Sequence, residues 1–303
     1  MKEEIRNKFI QALGAERVIF GEPMSKHTTF RIGGPADVFA MPETYEQIGE
    51  ILKLCKAEGL PFFVLGNGSN LLVSDKGYRG VIIQMDRNMQ EIRLEGNTIR
   101  ACAGALLSSI AVAARNASLT GFEFAGGIPG TLGGACVMNA GAYGGEMKDV
   151  LKEVMVMTRD GEILTLPAEK LEMGYRTSVI KKMGYLVLEA VISLEKGDEE
   201  AIRDRMKELS DLRTQKQPLD LPSAGSTFKR PEGYFAGKLI MDSGLRGCRI
   251  GGAQVSEKHC GFVVNADGAT AGDVRALMDH VIQVVKEKHG VTLEPEVKFL
   301  GDF

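Results

Sequence analysis

The 303-residue chain has no surplus of charge of either sign: 37 Lys and Arg stand against 40 Asp and Glu, for a net charge of −3. A nucleic-acid partner calls for a basic surplus, so that class is set aside, while a local cationic pocket for a phosphorylated ligand stays open. No apolar run is long enough to span a bilayer. The charged start Met1-Lys2-Glu3-Glu4-Ile5-Arg6 lacks the apolar core of a signal peptide. Membrane insertion and export are therefore not expected, and a cytoplasmic protein is. The five cysteines (Cys55, Cys102, Cys136, Cys248, Cys260) include no Cys-x-x-Cys pair. That argues against a disulfide framework and against a zinc site, and no metal is expected. Internal repeats and low-complexity tracts are missing. So are two common nucleotide signatures. Gly66-x-Gly68-x-x-Leu71 lacks the third glycine and the ensuing helix of a Rossmann fingerprint. Gly233-Tyr234-Phe235-Ala236-Gly237-Lys238-Leu239 is one spacer short of a P-loop and lacks the hydroxyl residue that would hold magnesium.

What is present is glycine, 37 residues of it, gathered in clusters that point to tight backbone approaches rather than to linkers. The length accommodates two domains. Apolar positions Ile5, Phe9, Ile10 and Leu13 predict a short amphipathic helix over 2–13. Thr44 is a good N-cap for a helix reaching about Glu58, stopped by Gly59-Leu60-Pro61. Strands are predicted over Asp37–Met41, Phe62–Leu65, Leu71–Val73, Val81–Met85, Thr98–Ala101, Val150–Thr158 and Leu186–Leu194. A helix is predicted over Leu106–Asn116, and another over 197–216 from the spacing of Ile202, Met206 and Leu209. Thr270 and Asp273 form a capping box for a helix over 271–289, closed by Gly290, after which Val291–Leu300 reads as a strand. The result is an α+β chain: an N-terminal helix (1–19), a glycine-rich lobe (20–196), a smaller lobe (197–290) and a C-terminal segment (291–303).

Four segments carry the chemistry. Gly66-Asn67-Gly68-Ser69-Asn70 follows a strand directly and offers backbone N–H groups without side-chain obstruction, a surface for a phosphate. Gly126-Gly127-Ile128-Pro129-Gly130-Thr131-Leu132-Gly133-Gly134 is a second such surface, stiffened by Pro129. Pro222-Ser223-Ala224-Gly225-Ser226-Thr227-Phe228-Lys229-Arg230-Pro231 sets one hydroxyl beside one cation, with Gly225 leaving room before Ser226. Near the end stands Leu293-Glu294-Pro295-Glu296-Val297. Any of these alone reads as an ordinary turn or a solvated strand.

Taken in this order, from about Thr28 onward, the four segments resemble the UDP-N-acetylenolpyruvoylglucosamine reductase family. The resemblance implies a vanillyl-alcohol-oxidase-like (PCMH-type) FAD-binding domain at 20–196 and a smaller α+β substrate-binding domain at 197–290. The last ten or so residues would return to the first lobe. It places Gly66, Asn67, Gly68, Ser69, Asn70, Leu71, Gly127, Ile128, Pro129, Gly130, Thr131, Gly133 and Gly134 at FAD, with Asn139, Gly141 and Ala142 extending the match. The implied reaction is reduction of UDP-N-acetylglucosamine enolpyruvate to UDP-N-acetylmuramate in peptidoglycan precursor synthesis. NADPH is the implied reductant, and one cleft serves both substrates in turn. A monomer is expected.

Three residues are implied in catalysis. Arg176, in Tyr175-Arg176-Thr177-Ser178, would hold the substrate carboxylate as charge builds on it during hydride transfer to C3. Ser226 would protonate C2. Glu296 either hydrogen-bonds the developing enolate as a buried, protonated acid or, ionised, orients Arg176 or the sugar. Tyr175, Arg213, Lys216, Lys229 and Gln254 are the candidates for the nucleotide sugar. His259 reads as a packed residue, and His27, His280 and His289 carry no motif. Two departures stand out. Arg230 occupies a position where many members have Asn, and the stretch from Arg176 to Ser226 is too short for the inserted tyrosine loop of the longer branch, so the chain resembles the shorter, type II branch. Two other readings stay open: a flavin oxidase of the same superfamily, and a flavin-free nucleotide-sugar-binding protein.

Overall fold

The structure, a computed structural model, describes residues 2–85 and 89–303. Its contacts divide the chain into two compact units, both discontinuous in sequence. The first comprises Met1–Ile19, Val38–Asn67 and Gly80–Arg213, and the second Phe20–Asp37, Gly68–Arg79 and Thr214–Phe303. The α+β class expected from the sequence is what is found.

In the first unit a five-stranded antiparallel sheet runs in the order Ile163–Pro167, Leu151–Met157, Leu186–Ser193, Thr98–Cys102, Ile92–Glu95. The central strand is rich in Val and Leu and all but two of its residues are buried, so both of its faces are covered. Helices α1 (Glu3–Leu13), α2 (Tyr45–Ala57) and α3 (Leu107–Asn116) fall where the sequence predicts them. Thr44 caps α2 by accepting the Gln47 N–H at 3.2 Å, and Ile48, Ile51, Leu52 and Cys55 form its buried stripe. Helix α4 (Leu132–Met138) was not anticipated, because Gly133-Gly134 reads as loop. It packs on the central strand, and a side chain at Gly133 would meet Ala103 at 3.0 Å. Helix α5 (Val179–Met183) follows, and α6 (Glu199–Lys216) passes out of the first unit after Arg213.

The second unit is organised by α8 (Ala271–His289). Val274, Leu277, Met278, Val281 and Val285 recur on one face and are wholly buried, together with residues of α7 (Ala236–Asp242) and of a three-stranded antiparallel sheet. Truncating Leu277 to Ala there costs about 2–5 kcal/mol. The capping box is formed as expected, and the Asp75 carboxylate also accepts the N–H groups of Ala271 (2.8 Å) and Gly272 (3.0 Å). The strand anticipated over Val291–Leu300 is confined to Lys298–Leu300, which pairs in parallel with Leu71–Val73. Pro295 has no N–H to give to a ladder, and the segment around it is engaged elsewhere.

Candidate functional site

The candidate residues are divided between the two units. Gly66 and Asn67, the part of the first glycine loop that lies in the first unit, are tied to the second loop: Asn67 Nδ2 donates to the Pro129 carbonyl at 2.7 Å. A Cβ at Gly66 would collide with the Thr131 hydroxyl, and Thr131 itself is buried. The Gly130 carbonyl accepts the Leu107 N–H at 3.1 Å, and the Ile128 N–H donates to Ala125 at 3.0 Å. Gly66 is thus demanded by the protein's own packing, whatever ligand it also serves. Arg213, half-buried at the end of the unit, lies along Gly127, with its Cδ 3.2 Å from where a Cβ there would sit. Burial draws its pKa down, and Tyr143 acts in the opposite sense. Beyond α4, Gly141–Ala142 pairs with Gly145–Glu146 in a small hairpin. Asn139 is fully buried in a left-handed conformation, and its side chain is taken up by Glu146, Gly174 and the Lys148 N–H.

Arg176 stands at the tip of a tight turn. Gly174 and Thr177 exchange both backbone hydrogen bonds (3.1 and 3.2 Å), and Arg176 takes φ 57°, a left-handed backbone that costs a non-glycine residue about 1 kcal/mol or more. Its guanidinium lies 5.0 Å from the centre of the exposed Tyr175 ring.

The second unit brings Ser226 and Glu296 together through the backbone. Phe228 and Pro295 form an antiparallel bridge, in which Glu296 N–H donates to the Thr227 carbonyl (2.8 Å) and Lys229 N–H to the Glu294 carbonyl (2.9 Å). Thr227, 1% exposed, also donates its N–H to Gly261 and accepts the Val263 N–H on its hydroxyl (2.8 Å). The Glu296 carbonyl accepts from Asn70 Nδ2 at 3.2 Å, and the Lys298 N–H donates to the Asn70 carbonyl. Ser226 is exposed, and at Gly225 (φ 74°) no protein atom lies within 4 Å of the Cβ position, so that side of the serine is open. Leu71, beside Asn70, is buried in its strand and can offer a ligand only its backbone.

The remaining candidates divide. Lys229 pairs with Glu294 at 2.8 Å, and this bond holds the Glu294 carboxyl below its ordinary range. Lys216 is exposed at the end of α6. Gln254 lines a pocket of about 540 Å³ with Leu219, Asp220, Ser256 and Lys258, and Lys216 and Lys229 are not among the residues that line it. His259 is packed edge-on against Phe262 and accepts the Gly261 N–H on Nδ1, as its surroundings in the sequence suggest. Sequence reasoning missed Lys258, the three-way anchoring of Thr227 and the bond from Asn70 to Glu296. Only the adjacency of Thr227 to Ser226 hinted at one of them.

The two glycine-rich loops, with a half-buried guanidinium against one of them, offer the backbone N–H groups and positive charge that suit a dinucleotide pyrophosphate. Among the described residues no cluster of His, Cys, Asp or Glu could hold a metal ion, and no helix is long and apolar enough to cross a membrane.

Known proteins match along the whole chain. Residues 36–167 match an FAD binding domain model, and residues 217–300 match the model of the UDP-N-acetylenolpyruvoylglucosamine reductase C-terminal domain. The UDP-N-acetylenolpyruvoylglucosamine reductase of Lachnoclostridium phytofermentans is 53% identical over 306 residues, covering 100% of this chain and 99% of its own. The crystal structure of the UDP-N-acetylenolpyruvylglucosamine reductase from Thermus caldophilus superposes with a TM-score of 0.80 at 36% identity, covering 94% of this chain and 98% of that one. A variant of Phl p 4, a glucose oxidase, shares the fold alone: TM-score 0.51 and 14% identity over 65% of this chain and 45% of its own.

Proposed function

The chain belongs to the UDP-N-acetylenolpyruvoylglucosamine reductase family, and from that premise we propose how it works: it uses NADPH and FAD to reduce UDP-N-acetylglucosamine enolpyruvate to UDP-N-acetylmuramate. FAD belongs to the first unit, where Gly66, Asn67 and the loop around Pro129 suit its pyrophosphate; Arg213, a candidate for the nucleotide sugar in the sequence, lies against Gly127 and is assigned to FAD instead. The nucleotide sugar belongs to the second. Reduced FAD, when bound, supplies a hydride to C3 of the enolpyruvyl group.

The residues supply the rest. Arg176 holds the substrate carboxylate with a fixed planar charge, and its attraction grows as negative charge accumulates at C2 and on that carboxylate. Ser226 Oγ gives a proton to C2, so hydride and proton together saturate the double bond. Glu296 lies one backbone hydrogen bond from the residue that follows Ser226 and shares its end of the ladder. That pairing carries the reading: it brings two residues 70 positions apart in sequence to one backbone bridge, beside a glycine whose side is open. Gln254 and Lys258 suit the uridine diphosphate end, with Tyr175, Lys216 and Lys229 as further contacts. A cytoplasmic location suits five cysteines that are all free thiols.

The test is an anaerobic visible titration of the flavin-loaded protein. Bleaching by NADPH, followed by recovery of the oxidised spectrum on adding the enolpyruvyl nucleotide sugar, is the expected result. Bleaching without recovery would overturn the substrate; absence of a flavin spectrum after reconstitution with FAD would overturn the flavoenzyme. Recovery by oxygen with sustained turnover of an alcohol would indicate an oxidase instead.

A further inference from the structure

We propose that Ser178 is a positioning residue for Arg176, acting with Asn139 to fasten the turn that carries it. The proposal rests on the catalytic reading of Arg176 given above and adds to it the means by which that side chain is aimed. A left-handed arginine persists only where its surroundings over-determine it, because an ordinary backbone is lower in energy. The surroundings here are specific. Ser178 is completely buried, and its hydroxyl donates to the Val137 carbonyl at 2.7 Å while accepting the Lys181 N–H at 3.3 Å. On the other flank, Asn139 Nδ2 donates to the Gly174 carbonyl at 3.2 Å. Both anchors reach the same place, the C-terminal end of α4, which follows directly on the glycine loop. Between them, Lys181 Nζ donates to the carbonyl of Arg176 itself at 3.0 Å.

Each side of the turn is therefore pinned by a buried side chain to the helix that leaves the cofactor loop. All of these residues lie within the first unit. Ser178 has no chemistry of its own to perform, since its hydroxyl is committed in both directions and sealed from solvent. Its two bonds do separate jobs. Accepting from Lys181 N caps α5, whereas donating to Val137 fixes where the turn sits. Loss of the second bond lets Arg176 relax toward an ordinary backbone and carries its guanidinium away from the carboxylate. A displacement of about 1 Å in such a group can cost a hundredfold in rate.

The experiment uses the flavin-loaded, full-length enzyme and four variants: Ser178→Ala, Ser178→Gly, Arg176→Ala and the double variant Ser178→Ala/Arg176→Ala. Glycine is included because it is tolerated at a helix N-cap and keeps the protein folded where alanine does not. FAD affinity, the rate of bleaching by NADPH and the rate of recovery with the enolpyruvyl nucleotide sugar are measured separately. Both Ser178 variants are expected to slow recovery about tenfold or more while FAD affinity and bleaching stay within about twofold. In the Arg176→Ala background, Ser178→Ala should add less than about twofold, because the two act through one group. Unchanged recovery in a folded Ser178 variant, equal slowing in both backgrounds, a parallel loss of FAD affinity, or failure of both variants to fold would each overturn the positioning role. Arg176→Ala reports on the underlying reading by itself: if it leaves recovery intact, the carboxylate-holding role of Arg176 is wrong whatever Ser178 does.

Discussion

The glycine-loop positions of the first unit and the serine loop of the second both carry glycine and are held in opposite ways. At Gly66 and Gly133 the space of a side chain is already filled by Thr131 and Ala103, so glycine is required by close packing. At Gly225 that space is open and only the left-handed backbone asks for glycine. The serine loop is fastened instead by a short stretch of strand-like pairing around Thr227. A surface for a tightly held cofactor gains from being rigid and finished in advance, whereas a loop that must admit and release a substrate keeps one side clear. The contrast implies that substitutions in the two loops should fail by different routes.

The largest effect is expected at the serine. Ser226→Ala should slow recovery of the oxidised flavin by the enolpyruvyl nucleotide sugar by about 10²–10⁴-fold, with bleaching by NADPH nearly intact. Because the residue is exposed, stability should change by no more than about 0.5 kcal/mol. Stopped-flow measurement of the two half-reactions checks this, and equal damage to both would remove Ser226 as the proton donor.

Gly66→Ala should act on the cofactor rather than on the substrate step. The added methyl meets the Thr131 hydroxyl, and the resulting overpacking should cost about 1–3 kcal/mol of stability and weaken FAD binding. Adding Thr131→Ala removes the colliding oxygen and should recover part of the stability. If the double variant is no better than Gly66→Ala alone, crowding at Thr131 is not the reason for the glycine. Gly225→Ala sharpens the comparison at lower cost: strain from its positive φ alone should amount to about 1 kcal/mol, without loss of FAD affinity. A larger cost would mean that the serine loop is as tightly enclosed as the glycine loops.

The legible parts of the sequence were those with local causes. Thr44, Thr270 and Gly290 announce helix ends through bonds made within a few residues, and α2 and α8 start and stop where these residues put them. Helix α4 was hidden because its glycines are disfavoured locally, while what compensates them, packing on the central strand and the close approach of Gly133 to Ala103, is distant in the chain. The C-terminal strand was overextended for a similar reason: the residues around Pro295 look extended but pair with Phe228, which no local pattern reveals. The candidate site follows the same rule. Motifs brought out Arg176, Ser226 and Glu296 by name, yet the groups that fix their places (Asn139, Ser178, Thr227 and the side chain of Asn70) act across long sequence separations. Asn139 and Asn70 were noticed as part of the cofactor motifs, not for the bonds they make to Gly174 and Glu296.

The smallest expected effect concerns how the two regions respond to acid. The tie between the glycine loops runs from an amide to a carbonyl, neither of which titrates near neutrality. The second unit depends in part on a carboxylate: Asp273 accepts the N–H groups of Thr270 (3.0 Å) and Gly252 (3.3 Å). The bond from Thr270 outweighs the opposing effect of burial and holds the Asp273 pKa below its ordinary value. A depressed folded pKa contributes stability in full above the unfolded pKa, about 3.9, and loses it as the pH falls through the folded value. Asp273→Asn should therefore lower the melting temperature at pH 7, by an amount matching about 1 kcal/mol or less for a lost capping interaction. The gap between the variant and the parent should narrow below about pH 4 and close once the parent carboxyl is itself protonated. Thermal melts of both proteins from pH 3 to 7 check this; a gap that stays constant across the range would show that the carboxylate charge at the start of α8 contributes nothing, and that the second unit is fastened by packing as the glycine loops are.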